Sequence, residues 1–250
     1  MTALQKISRT VSELIRSPDW AELFRWKVFG AQMIWHRRIN RRFDARYGTD
    51  TAAEGLLVDW GVSRDQAVQG NEVYRPLWED LFVRIMRKIA PLGLGDYSFL
   101  DLGSGKGKLL LLATKWGFKA ISGIEYVPQM NEIANRNVEL FRSVTEFKMP
   151  VQSILGDATD FEMPIGPVVL FVFNSFQPET MKIVYDNIAC AVSDSPHPVF
   201  LIYANVRSIA ECPTILEGRQ EMGMIASSRQ YIILGNQQAT AAWRRTSGKP

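Results

Sequence analysis

The chain has 250 residues, 46% hydrophobic and 22% charged, with 29 Lys+Arg against 26 Asp+Glu and a formal net charge of +3. Those proportions exclude a disordered, collagenous or disulfide-framework protein, and the small net charge excludes a globally basic coat for nucleic acid. The two cysteines, Cys190 and Cys212, have no histidine nearby, so no metal site is expected and a reducing, cytoplasmic setting is. Charges interrupt the apolar positions of Met1–Arg16, unlike a signal-peptide core, and no apolar run approaches the ~20 residues of a membrane span.

Charge is concentrated near the start. Arg25, Lys27, Arg37, Arg38, Arg41, Arg42 and Arg46 stand against one acid, Asp44, so this window carries +6 and leaves −3 for the rest of the chain. Aromatic and aliphatic residues are interleaved with the bases, mostly in steps of three and four, which predicts a helix with a broad apolar face. Residues 20–46 therefore suit an anionic surface or an acidic or phosphate-rich acceptor. The plainer reading packs Trp26, Phe29 and Ile34 on the following domain and leaves the arginines solvated.

Tyr47–Thr51 has turn composition. A second helix is expected from Pro76 through Leu77, Leu81, Ile85 and Ile89, ending at Pro91–Gly95. From Tyr97 strands and helices alternate. Strands are expected at Ser98–Leu102, Ala120–Glu125, Val151–Leu155, Pro167–Phe173 and Pro198–Ala204. The intervening helices are expected at Lys106–Trp116, Pro128–Phe141 and Pro178–Val192, with Cys190 as buried packing on the last. Arg219–Ala226 and Arg229–Leu234 have the pattern of an antiparallel hairpin. The fold class is α/β: a doubly wound, mostly parallel sheet of seven strands, with a C-terminal antiparallel hairpin and an N-terminal helical extension. The expected division is 1–95 for the extension and 96–250 for the sheet domain.

The strongest chemical signal is Phe99-Leu-Asp101-Leu-Gly103-Ser104-Gly105-Lys-Gly107, a buried strand ending in an acid, then alternating glycines leading into a helix. Open α/β sheets bind ligands at such strand ends. The dinucleotide fingerprint fails because residue 108 is Lys, and the phosphate loop fails because no Gly-Lys-[Ser/Thr] ending is present. Asp101 would repel a pyrophosphate and suits an amine. Glu125 ends the next strand, where a carboxylate suits two ribose hydroxyls. Asp157 and Ala158 follow the strand after that.

This combination resembles the class I methyltransferases that use S-adenosyl-L-methionine, over about Tyr97–Leu234. The resemblance implies that Asp101, Gly103, Ser104, Gly105 and Gly107 hold the amino-acid end of S-adenosyl-L-methionine. It further implies that Glu125 takes the ribose, that Asp157 and Ala158 flank the adenine, and that S-adenosyl-L-homocysteine is the product. Phe173-Asn174-Ser175-Phe176 resembles the Asn-Asn-Phe segment of the Dot1-like lysine methyltransferases and, more distantly, the Asn-Pro-Pro-aromatic motif of amine-directed bacterial enzymes. By that resemblance Asn174 and Phe176 position an amine acceptor, with Asn174 also beside the cofactor and Ser175 departing from the motif. Tyr74 corresponds to a tyrosine folded over the cofactor. The expected activity is methyl transfer to an amine, on a protein or peptide lysine or a small amine. The alternatives are O-methylation of a small metabolite, or a non-catalytic protein of this fold that docks through the basic helix. No specific nucleic-acid partner is expected.

Overall fold

A computed structural model describes residues 18–63, 73–173, 175–193, 195–204 and 221–247. Seven strands form one sheet: β3 (Ser98–Leu102), β4 (Ala120–Glu125), β5 (Val151–Leu155), β6 (Val168–Phe173), β7 (Val199–Ala204), β8 (Gly223–Ser227) and β9 (Tyr231–Gly235). Their spatial order is β5-β4-β3-β6-β7-β9-β8. The first five are parallel neighbours, and β9 runs antiparallel to both β7 and β8. The sheet is the doubly wound, mostly parallel seven-stranded architecture expected from the sequence, including the closing hairpin.

The central strands are continuous apolar runs because helices cover both of their faces. In β3, Phe99 enters an aromatic cluster with Phe82, Phe118 and Phe171. Its neighbours Leu100 and Leu102 pack on the other side with Leu170, Val172, Val184 and Ile188. The helix α2 (Glu79–Ile89) supplies Phe82 to the first layer, and α5 (Pro178–Val192) supplies Val184 and Ile188 to the second. Each such side chain contributes roughly 1.5–3 kcal/mol on burial.

Three helix boundaries differ from the sequence expectation. The helix α2 begins at Glu79 rather than Pro76, because Trp78 is extended and residues 73–74 are occupied in a short ladder. In that ladder β2 (Val73–Tyr74) pairs antiparallel with β1 (Gly55–Leu56). Helix α3 (Lys108–Ala113) starts two residues late, since Gly105 and Gly107 have φ of +54° and +78°, outside helical space. Helix α4 extends over Pro128–Val144. A further helix, α6 (Gln237–Ser247), had no counterpart in the sequence reading; Asn236 caps it, accepting from the Ala239 amide at 2.9 Å. Cys190, expected to be buried, is exposed on the outer side of α5.

Compact packing divides the chain into residues 1–43 and 44–250. The helix α1 (Pro18–Tyr47) contains the division and opens on proline, whose missing N–H costs nothing at a first helical position. Gly48, at φ +70°, ends it. The Asp44 carboxylate then fixes the exit of the chain, accepting from the hydroxyls of Thr49 and Thr51 and the amides of Thr51 and Ala52 at 2.7–2.9 Å.

Candidate functional site

The strand order reverses between β3 and β6, and the crevice above the carboxyl ends of these strands is where this architecture binds ligands. A cavity of about 390 Å³ lies there, within the usual range for small-molecule sites. Of the residues singled out in the sequence, Tyr74, Asp101, Gly103, Ser104, Gly105, Glu125, Asp157, Ala158 and Phe176 all line it. Gly107 does not line it, and a Cβ there would sit 3.0 Å from the Cβ of Ala134, so this glycine admits close packing of α3 on α4. Asn174 lies outside the described residues, as does Cys212.

The glycine turn is held together by its own amides. Gly103 and Ser104 donate to the carbonyl of Ile124 at 2.9 and 3.0 Å, and Gly107 donates to Ser104 at 2.9 Å. Gly105 donates to Oε2 of Glu125 at 2.6 Å. A phosphate-binding loop leaves such amides pointing at its ligand. Here four of them already have protein acceptors.

Glu125 and Asp101 are both buried. The other Glu125 oxygen accepts from the Val127 amide at 2.9 Å. Burial raises the proton affinity of the Glu125 carboxyl, and the amides of Val127, Gly105 and Tyr126 oppose that rise. Asp101 is pushed well above the ordinary carboxylate range, first by burial and then by the negative charge of Glu125. A ligand bringing a positive charge or hydroxyl donors relieves both effects, whereas an anion adds to them. Asp157 is exposed at the rim, where its Oδ1 accepts from the amide and hydroxyl of Thr159, both at 2.8 Å. The buried Ala158 beside it faces the same cavity as Ile124, Val127 and Met130, an apolar surface suited to a flat ring.

A cover formed by residues 44–63 and 73–77 was not visible in the sequence as a unit. Tyr74 lies so close to Gly105 that any Cβ there would strike its ring. Its hydroxyl donates to the Thr51 carbonyl at 3.2 Å, and Trp60 meets the ring edge-on at a centroid distance of 6.0 Å. Burial holds the phenol firmly in its neutral form. Lys106, the residue between Gly105 and Gly107, anchors this cover. Its Nζ lies 3.1 and 3.2 Å from the two Asp50 oxygens, and 5.1 and 5.9 Å from the ring centroids of Trp60 and Tyr74. Asn137 of α4 secures the same junction. It accepts from the Asp50 amide at 2.8 Å and donates to the carbonyls of Asp50 and Lys106 at 3.0 and 2.9 Å.

Lys108, noted in the sequence only for breaking the dinucleotide fingerprint, is buried and lines the cavity. Burial lowers its ammonium pKa to about 8, against the charges of Glu79 and Asp44. On the β6 side the wall consists of Phe173, Ser175, Phe176, Thr180 and Ile183. Ser175 donates to the Phe173 carbonyl at 3.0 Å, and it packs so tightly on Gly103 that a Cβ there would lie 2.5 Å from its own. The residue that departs from the acceptor motif thus closes the seam between the two central strand ends.

No family model matches the sequence, and none of the curated proteins matches it. Many solved structures resemble the chain. One is the magnesium protoporphyrin IX methyltransferase of Synechocystis with bound S-adenosylmethionine, 14% identical, covering 63% of this chain and 77% of that one at a TM-score of 0.44. A second is a putative S-adenosylmethionine-dependent methyltransferase of Methanococcus maripaludis, 15% identical, covering 64% and 90% at 0.45. A third is a putative RNA methyltransferase of Pyrococcus horikoshii, 14% identical, covering 64% and 83% at 0.45.

Proposed function

We propose that the chain is a methyltransferase that uses S-adenosyl-L-methionine and directs the methyl group to an amine nitrogen. The observation that carries this reading is the meeting of Asp101 and Glu125 above a glycine turn whose amides are already engaged. Such a site rejects a phosphate and accepts a ligand that carries an ammonium at one end and vicinal hydroxyls in the middle. Asp101 takes the ammonium. Glu125 keeps lone pairs beyond the two it gives to Gly105 and Val127, and these accept ribose hydroxyls. Ala158, Ile124 and Val127 flank the adenine, with Asp157 at its edge.

When bound, S-adenosyl-L-methionine supplies an electrophilic methyl on a sulfonium, which leaves as the neutral thioether S-adenosyl-L-homocysteine. The chain's own task is alignment and exclusion of water. Tyr74 roofs the glycine turn, and Phe176 packs the acceptor side of the cavity. The Asn174–Phe176 segment favours an amine, because the amide carbonyl of Asn174 can accept from an N–H and so aim the nitrogen lone pair. The acceptor is then a protein or peptide lysine, or a small amine. The nitrogen attacks as the neutral amine, so an ammonium acceptor first gives up a proton to solvent or a neighbouring group, and the N–CH3 bond then forms as the S–CH3 bond breaks.

Calorimetric titration with S-adenosyl-L-homocysteine tests the cofactor assignment. Wild-type protein should bind it, and Asp101→Ala and Glu125→Ala should each lose that binding. Asn174→Ala should abolish turnover of an amine acceptor while leaving affinity for the homocysteine product close to wild type. A well-folded wild-type protein that does not bind the product at all would remove the proposal.

A further inference from the structure

Outside the cavity, the feature with the most unexplained chemistry is the outward face of α1. At 100° per residue, Ile34, Arg38, Arg41 and Arg42 fall within an arc of about 100°, with Trp35 on its edge. All five are exposed, Ile34 by 69% and Trp35 by 53%. Ile34 is therefore not the packing residue that the plainer sequence reading made it. No acid lies on the arc. Asp44, the only acid in residues 30–47, is occupied with Thr49, Thr51 and Ala52. One stripe of the helix thus joins an exposed aliphatic side chain, with a tryptophan at its edge, to three cations.

We infer that this face of α1 binds the surface of an anionic phospholipid membrane. Arginines alone would match any polyanion, but a nucleic-acid backbone offers Ile34 no apolar contact. At a bilayer, aliphatic and tryptophan side chains enter the headgroup–acyl boundary while guanidinium groups stay with the phosphates. Among the described residues no helix is long and apolar enough to cross a membrane, so the contact is one of lying on the surface. The concentration of +6 between Arg25 and Arg46, in a chain otherwise at −3, gives the attraction its place. This inference stands independently of the methyltransferase reading.

Co-sedimentation of the full chain with vesicles tests it, using phosphatidylcholine alone and phosphatidylcholine mixed with phosphatidylglycerol. Binding to the mixed vesicles, weak binding to the neutral ones and release by high salt are the expected results. Arg38→Gln/Arg41→Gln/Arg42→Gln should lower the partition coefficient on the order of 100-fold. Ile34→Ser/Trp35→Ser should also weaken binding while preserving its salt dependence. These positions are exposed, so both variants should melt at the wild-type temperature; should one fail to fold, the other and the wild-type salt titration still decide. Equal binding to both vesicle types, or to neither, would overturn the inference. So would tighter binding to single-stranded RNA than to the anionic vesicles, which would assign the face to nucleic acid.

Discussion

Replacing Gly105 by alanine probes the contact between the glycine turn and its cover. Two separate costs are built into that position. Its φ of +54° is left-handed, which costs an L-residue roughly 1–2 kcal/mol. The added Cβ also meets the ring of Tyr74, with Cδ2 only 3.0 Å away and Cε2 nearer still. That ring cannot swing aside freely, because its hydroxyl is tied to Thr51 and its face and edge are held by Lys106 and Trp60. Overpacking of this kind costs about 1–3 kcal/mol. Gly105→Ala should therefore destabilise the wild-type protein by about 2–5 kcal/mol, but by only about 1–2 kcal/mol in a Tyr74→Ala background, where the backbone cost alone remains. Urea unfolding of the four proteins gives the coupling, expected at about 1–3 kcal/mol. Gly103→Ala is the control: its added Cβ meets Ser175 rather than Tyr74, so its cost should be the same in both backgrounds. An unchanged cost for Gly105→Ala across the two backgrounds would refute the placement of Tyr74 on the turn.

Three further expectations concern single side chains. Lys106→Met removes the ion pair with Asp50. Because Asp50 is 45% exposed and regains water, the loss in unfolding free energy should be about 1–2 kcal/mol, below the cost of breaking a fully buried pair. Asn236→Ala should cost about 2 kcal/mol in thermal unfolding, since the side chain serves the amides of Val199 and Ala239 and the carbonyl of His197. Asp101→Asn should change the pH dependence of stability. The folded chain holds the Asp101 proton more tightly than the unfolded chain does, so wild-type stability falls as pH rises from the ordinary carboxylate range through the raised value. The variant, titrated by urea midpoint against pH, should show a shallower fall, with the remainder coming from Glu125.

What the sequence revealed was local, and what it concealed was distant. The β3 strand, the glycine turn and the acids at 101, 125 and 157 each carry their signal within a few residues, as a buried apolar run, a positive φ or a strand-end carboxylate. The cover has no such signal. Residues 47–51 have only turn composition, yet Asp50 pairs with Lys106 and Asn137, which are 56 and 87 positions away. No periodicity encodes a contact of that span, so Lys106 passed as a filler between glycines. The helix after Asn236 was within reach, because an asparagine followed by Gln-Gln-Ala-Thr-Ala-Ala is a capped helical start. The late start of α2 was harder to see. Pro76 is a favourable first helical residue, yet the chain before it is paired at Tyr74 with Gly55 and Trp78 after it is still extended.

The buried acids also explain why this turn is not a phosphate cradle, although its glycines resemble one. Burial raises the cost of ionising both carboxyls, and at Asp101 the charge of Glu125 adds to it. An apolar pair of similar volume would make a more stable protein. The chain instead uses the Gly105 and Val127 amides to hold Glu125 in place, and in doing so withdraws the Gly105 amide from any anionic ligand. The same hydrogen bond thus orients the carboxylate and inverts the ligand charge that the turn prefers. Tyr74 covers Gly105 and lines the same cavity as Asp101 and Glu125, so on the proposed reading the ligand there is one that donates hydrogen bonds to carboxylates.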